Sequence, residues 1–187
     1  NSSLKNLDTN HKLSKELKLI NKVERTIEQF VLKVTEYKAR CIKEDFEEMI
    51  NKLLRKNEDF SKIEFDVESY TIKIFNHNNI QIRLTNRSAG EKQIIALSLI
   101  WALTKNAAID LPYVIDTPLG RLDSIHRANL MNHYFPYLSD QVVILSTDTE
   151  VNKEFGELIS KHVDTSYRLD YDQDNNCTEI KEGYFAF

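Results

Sequence analysis

The stretch Leu111-Pro112-Tyr113-Val114-Ile115-Asp116-Thr117-Pro118-Leu119-Gly120-Arg121-Leu122-Asp123 decides the fold. A short apolar run stops at a carboxylate, a turn containing Pro118 and Gly120 follows, and Asp123 precedes a helical pattern over residues 124–137. Residues 141–145 repeat the apolar run and stop at Ser146-Thr147-Asp148. Apolar strands alternating with helices read as a parallel α/β sheet with both faces covered. Ligands on such sheets sit beyond the carboxyl ends of the strands, where Asp116 and Ser146–Asp148 both fall.

Outward from this stretch, residues 88–106 read as a helix opened by Ser88, with Glu91 three positions on as the other half of a capping box. Before it, residues 62–68, 71–75 and 80–84 alternate apolar and polar side chains around a turn at 76–79, the pattern of a small antiparallel meander. After it, residues 148–161 are expected to be helical, capped by Asp148 or Thr149. Residues 166–171 and 178–183 are expected to close a hairpin around 172–176.

The first third reads differently. Residues 13–56 contain neither Gly nor Pro. Leu13, Ile20, Ile27, Val34 and Cys41 recur every seven residues, and Val23, Phe30 and Tyr37 recur three positions on. This a/d pattern asks for a partner helix. Ile42, Phe46, Met49, Ile50, Leu53 and Leu54 then widen the stripe, as expected where an arm enters a globular body. A helix from about 13 to 57 spans roughly 65 Å and must project. The expected division is therefore an arm helix over 1–57 and a body over 58–187, the partner helix being another molecule or a missing segment.

The 187 residues carry a net charge of −4, which excludes a uniformly basic nucleic-acid coat. The arm holds 13 Lys and Arg against 9 Asp and Glu, and the body 12 against 20. A basic arm leading into an acidic body is either a solvated helix face or an anion-attracting surface. Cys41 and Cys177 are far apart and fit no metal spacing, so a reducing, cytoplasmic setting is expected. No apolar run reaches membrane-spanning length and no leader opens the chain, so no membrane association is expected.

Two short motifs carry chemistry, and Leu119-Gly120-Arg121-Leu122-Asp123 follows the second of them along the chain at once. Asp116, at a strand tip, suits Mg²⁺ held through water with substrate phosphates supplying other ligands. Arg87-Ser88-Ala89-Gly90-Glu91-Lys92-Gln93 opens a helix with small residues, and a helix start favours an anion. Each has an ordinary explanation, a helix cap in both cases. Their order along the chain is more specific than either: small-residue helix start, strand to Asp, Gly-Arg-Leu-Asp turn, helix, strand to a polar tip.

With that order in hand, Ser88-Ala89-Gly90-Glu91 resembles the signature motif of ABC-type ATPases, Val114-Ile115-Asp116 their Walker B strand, Gly120-Arg121-Leu122-Asp123 their D-loop, and Leu145-Ser146-Thr147-Asp148 their switch loop. A coiled coil entering just before the signature resembles the SMC-like branch. More closely, residues 114–124 with His126-Arg127, Tyr134-Phe135-Pro136 and Leu145-Ser146-Thr147-Asp148-Thr149-Glu150 are similar to the DndD family, the SMC-like ATPases of bacterial DNA phosphorothioate modification. The resemblance implies an α/β fold, the C-terminal lobe of an ABC/SMC-type head preceded by a coiled-coil helix. It implies ATP and Mg²⁺ as ligands of the full-length protein and an ATP-bridged homodimer in which Ser88, Ala89, Gly90, Glu91 and Asp123 approach nucleotide and Asp116 approaches the metal. It also implies DNA and other sulfur-modification proteins as partners. The chain would couple ATP-driven head closure to DNA handling. An SMC-like repair ATPase working with a nuclease and a non-catalytic coiled-coil scaffold remain open as alternatives.

Two positions depart from the ABC pattern. Thr117 stands where most of these ATPases carry the water-orienting glutamate, and Thr147 where they carry the switch histidine. A hydroxyl does not serve as a carboxylate base at neutral pH, so the general base stays unassigned, with Asp148 or Glu150 as candidates. No G-x-x-x-x-G-K-[ST] occurs in these residues. The family places that loop in the N-terminal half of the head, which is then an expected partner, and no nucleotide is expected to bind this chain tightly alone. DNA is expected where the arm meets the body, at Lys52, Arg55 and Lys56 with Lys33, Lys38, Arg40 and Lys43 nearby. Trp101, Tyr134 and Phe135 read as core residues and His126 as a surface residue.

Overall fold

In the computed structural model, residues 2–54, 60–66, 69 and 71–183 are described, without the side chains of 2–13 and 65. The long helix α1 spans Ser2–Leu53, about 78 Å at 1.5 Å per residue. A three-stranded antiparallel meander follows: β1 (Lys62–Asp66), β2 (Thr71–Phe75) and β3 (Gln81–Ile82), in that order in the sheet. Helix α2 (Ala89–Lys105) leads to β4 (Tyr113–Asp116), and helix α3 (Ser124–His133) to β5 (Val142–Leu145). β4 and β5 pair in parallel, Tyr113 opposite Val142 and Asp116 opposite Leu145. Helix α4 (Lys153–Ile159) precedes the hairpin of β6 (Tyr167–Asp172) and β7 (Cys177–Glu182).

The core lies where the end of α1 crosses α2 and α3. Phe46, Met49, Ile50 and Leu53 of α1 are buried with Ile94, Leu97 and Trp101 of α2 and Leu130 and Met131 of α3. Those α1 positions recur at three- and four-residue spacing, so they form one face. Tyr134, immediately after α3, is fully buried and its hydroxyl donates to Leu97 O at 2.9 Å. That hydrogen bond satisfies the one polar atom which burial of a tyrosine leaves over, and burial pushes its phenol well above the ordinary value. The ring lies 5.7 Å from Trp101 and 5.4 Å, edge-on, from Phe135. Trp101, Tyr134 and Phe135 are thus core residues, as expected from the sequence.

A polar brace joins the arm to α2. Asn106, the residue after α2, donates from Nδ2 to Asp45 Oδ2 at 2.6 Å, and its carbonyl accepts from Lys38 Nζ at 2.8 Å. N-terminal to that point, Ile20, Val23, Ile27, Phe30, Val34 and Tyr37 are exposed along α1.

The structure corrects the sequence reading at several points. Residues 148–161 are not one helix. The backbone turns at 147–151 through Glu150 N to Thr147 O (3.0 Å) and Val151 N to Thr147 O (3.2 Å). α4 starts only after Asn152, whose Oδ1 caps the Phe155 amide at 3.0 Å. α3 ends at His133, and Pro136 sits in a separate short turn of 3-10 helix over Phe135–Tyr137. Residues 80–84 hold only the two-residue β3, because residues 84–86 coil into a 3-10 turn. α1 stops at Leu53, whose carbonyl is taken by Asn129 Nδ2 of α3 at 3.2 Å. His126 is buried, 8% exposed, because it lies one helical turn before Leu130 on the inner face of α3. Among the described residues the parallel sheet is covered on one face: Tyr113, Ile115, Val142 and Ile144 pack inward, while Val114 (65% exposed), Val143 and Leu145 face out.

Candidate functional site

Three segments converge at the carboxyl ends of β4 and β5: the first turns of α2, the loop 117–123 and the loop 146–150. The capping box at the start of α2 is complete. Ser88 Oγ accepts from the Glu91 amide at 3.2 Å, and Glu91 Oε2 accepts from the Ser88 amide at 2.8 Å. Arg87 Nη1 reaches Glu91 Oε1 at 3.0 Å. Both Glu91 oxygens are therefore engaged within the chain, while Ser88 and Ala89 are exposed. Burial works against ionisation of Glu91, but the Ser88 amide and hydroxyl and the Arg87 guanidinium together hold its carboxyl below the usual value. The cap thus presents a formed helix start with its positive dipole end open to solvent.

Gly90 explains how this helix start meets the next segment. A Cβ there would lie 2.8 Å from the Arg121 carbonyl oxygen, so only glycine admits this approach of α2 to the loop 117–123. Gln93, one turn further on, donates to the Pro118 carbonyl at 2.5 Å.

Asp116 is the last residue of β4 and is exposed. The Thr117 amide donates to Leu145 O at 2.8 Å, which extends the β4–β5 pairing one residue beyond the strand. Thr117 then turns with φ of 46°. A β-branched residue in the left-handed region is a strained outlier. Asp123 closes the loop as the cap of α3, accepting from the Ile125 and His126 amides at 3.1 and 3.0 Å and lying 2.9 Å from His126 Nδ1. Arg127 binds both loops: Nε donates to Leu122 O at 2.9 Å, and Nη1 to Thr149 O at 3.1 Å and Glu150 O at 3.3 Å.

Across from Asp116, Thr147 Oγ1 lies 2.9 Å from Thr149 Oγ1, and Asp148 is exposed. Among the described residues no group of three His, Cys, Asp or Glu forms a metal cluster. A single exposed carboxylate fits Mg²⁺ of the phosphate-bound kind, which takes one or two carboxylates and completes its shell with water and substrate oxygens. A surface hollow between Lys43, Glu64, Asp66 and Lys73 lies at the arm base and the meander, apart from these loops.

No protein-family model matches the chain, and no curated protein matches its sequence. Solved structures do match its shape. An SMC head with coiled coil and joint from Pyrococcus yayanosii superposes with a TM-score of 0.60 at 17% identity, over 89% of this chain and 30% of that one. An SMC head with an extended coiled coil from Pyrococcus furiosus, bound to the C-terminal domain of ScpA, gives 0.57 at 17%, over 86% and 40%. A chain from a study of ATP-driven dimerization and DNA-stimulated activation of SMC ATPases gives 0.56 at 15%, over 82% and 88%.

The fold is that of an SMC head. This chain has the α/β C-terminal lobe of such a head with its helical arm, and it spans well under half of the two Pyrococcus chains.

Of the sequence-predicted residues, Ser88, Ala89, Gly90 and Glu91 belong to the α2 start that packs on the loop holding Thr117 and Asp123, while Asp116 and Thr147 lie at the neighbouring strand ends. Lys52 belongs to α1, where its Nζ pairs with Glu48. Arg55 and Lys56 lie outside the described residues. Sequence reasoning missed Gln93 and Arg127 as the groups that join these segments. It also gave no sign that Glu150 is buried, since Glu150 closes the polar run Thr147-Asp148-Thr149.

Proposed function

We propose that the chain is the C-terminal half of an SMC-like ATPase head, with an arm over 1–57 and a head lobe over 58–187, and that the complete protein hydrolyses ATP as two heads close on each other. The observation that carries this reading is the meeting of three segments at the tips of two parallel strands, with the formed, solvent-facing start of α2 beside them. In this arrangement Ala89 and Gly90 offer backbone N–H groups, Ser88 its hydroxyl hydrogen and the helix its dipole to the γ-phosphate bound by another copy. Glu91 shapes that helix start through the capping box. Asp123 fixes the neighbouring loop where the two copies meet. Asp116 would hold Mg²⁺, whose charge would offset that of the phosphates. Thr117 is not the base.

The N-terminal half of the head covers the open face of β4–β5, where Val114, Val143 and Leu145 are exposed. DNA binds at the arm base through Lys52, Arg55 and Lys56. The finer role is DNA phosphorothioate modification in the bacterial cytoplasm alongside other sulfur-modification proteins, supported by the match of residues 114–124, 126–127, 134–136 and 145–150 to the DndD pattern. The described helices support a chain outside the membrane, none being long and apolar enough to cross it.

One experiment tests both levels. In the complete protein, Asp116→Asn lowers ATP turnover by about 100-fold or more, since it keeps the size and removes the charge that favours Mg²⁺. Thr117→Ala costs about threefold or less on the same rate scale. Cells carrying Asp116→Asn also lose phosphorothioate linkages from their DNA, measured by mass spectrometry of nuclease digests. Equal losses in both variants contradict the assignment at Thr117. Turnover lost with phosphorothioate retained contradicts the sulfur-modification role.

A further inference from the structure

The peptide unit joining Pro118 to Leu119 is gripped at both ends by side chains from different elements. Its carbonyl accepts from Gln93 Nε2 of α2 at 2.5 Å. Its N–H donates to Glu150 Oε1, from the loop after β5, at 3.2 Å. Glu150 is 4% exposed, and its Oε2, like Gln93 Oε1, has no hydrogen-bond partner among the described residues. Burying a carboxyl group with one oxygen idle is a costly way to hold a loop.

Two neighbouring features depend on this grip. A Cβ on Gly120 would approach Glu150 Oε1 to 2.8 Å, so the glycine leaves room for the carboxylate. Thr117, one residue before the gripped peptide, holds φ at 46°. Strain of that kind persists only where the surroundings over-determine it. The Thr117 amide is tied to Leu145, the following peptide is held by Gln93 and Glu150, and Arg127 fastens Leu122 to Thr149 and Glu150.

We infer that Glu150, acting with Gln93 through the Pro118–Leu119 peptide, is a positioning residue that locks the tip of β4, the start of α2 and the loop after β5 into one unit, and that it is not the general base. This inference rests on the ATPase reading above. Glu150 points Oε1 at the Leu119 amide and is shielded from solvent, so it acts on the backbone of the loop after β4 rather than on water. It sets the position of Asp116 relative to Ser88 and Gly90, groups that the proposed reaction needs in register on two phosphate-bearing surfaces.

The test uses the complete protein with Mg-ATP. Glu150→Gln keeps an oxygen acceptor for the Leu119 amide, and Glu150→Ala removes it. Glu150→Ala is expected to lower kcat about 10- to 100-fold with KM changed less than about twofold, and Glu150→Gln to restore kcat to within about threefold of the parent. Hydrogen exchange in the same proteins is expected to show the Leu119 amide deprotected in Glu150→Ala and protected in Glu150→Gln. Equal losses of kcat in both variants, with Leu119 still protected in Glu150→Gln, overturn the inference and make Glu150 a chemical participant. Unchanged kcat in Glu150→Ala with Leu119 deprotected also overturns it, leaving Glu150 a stabilising contact only. If Glu150→Ala does not fold, Gly120→Ala, which displaces the carboxylate, carries the same kinetic expectation. If the parent protein itself turns over no ATP, the functional reading fails separately, and Leu119 protection that survives Glu150→Ala then overturns the grip.

Discussion

Helix α1 places similar side chains in opposite environments. Phe46, Met49, Ile50 and Leu53 are buried against α2 and α3, whereas Ile20, Ile27, Phe30 and Tyr37, on the same unbroken helix, are exposed, Phe30 to 67%. Nothing in residue type separates the two groups. What differs is whether this chain supplies a facing surface. The same contrast recurs in the β structure. Ile115 and Ile144 pack into the core, while Val114, Val143 and Leu145 face out, and in the terminal hairpin Tyr167, Leu169, Tyr171 and Ile180 (70%) are exposed. Among the described residues there is therefore one closed interior and several apolar faces left open.

The sharpest way to break this comparison is to truncate one residue of each kind. Leu53→Ala, in the closed interior, is expected to destabilise the chain by about 2–5 kcal/mol. Phe30→Ala, on the open stripe, is expected to change stability by about 0.5 kcal/mol or less. Urea denaturation of the two variants measures both. Similar losses would show that the arm stripe is covered in the isolated chain.

A smaller effect sharpens the contrast between basic arm and acidic body. Reversing the charges of Lys52, Arg55 and Lys56 together is expected to lower the DNA affinity of the complete protein. It is also expected to reduce its salt slope by about 0.9 for each DNA phosphate that the arm then fails to neutralise. Titrations at several salt concentrations read both. An unchanged affinity and slope would move DNA binding away from the arm base.

The smallest expected effect concerns the α2 cap. Because Glu91 has a carboxyl held below its usual value of 4.5 in the folded state, its contribution to stability is complete above that value. The contribution fades as pH falls through the lower, folded-state value. Glu91→Gln is therefore expected to be less stable than the parent by about 1 kcal/mol at pH 7. The difference should shrink below about pH 4. Thermal melts at pH 7 and pH 3.5 check the sign, and a difference that grows on acidification contradicts it.

Several of these features are legible in the residues themselves. The capping box at Ser88 and Glu91, the parallel strands ending at Asp116 and Leu145, the meander and the terminal hairpin all follow from local patterns. Those patterns report local backbone preference and the period of burial, and they succeed where each segment is regular. They fail where a tertiary contact overrides the local signal. Residues 148–151 carry a helix-compatible sequence, yet Glu150 is drawn inward to the Leu119 amide and α4 starts late. His126 sits in the first turn of a helix, where exposure is the ordinary outcome, but its turn faces the core. The open outer face of β4–β5 is equally hidden, because an apolar strand reads alike whether its cover comes from this chain or another. At the site, Asp116 and the α2 start are legible as motifs, whereas Gln93, Arg127 and Glu150 act across 22 to 31 residues of sequence and have no local signature.

The central claim is that the start of α2 completes a nucleotide site on a second copy. Ser88→Arg tests it most directly, because a bulky cation at that exposed position blocks a phosphate-bearing partner and opposes the helix dipole without entering the core. Size-exclusion chromatography of the complete protein with and without Mg-ATP is the measurement. The account predicts an ATP-dependent dimer for the parent and a monomer at every ATP concentration for Ser88→Arg, with unchanged circular dichroism. ATP-dependent dimerisation that survives Ser88→Arg would contradict it.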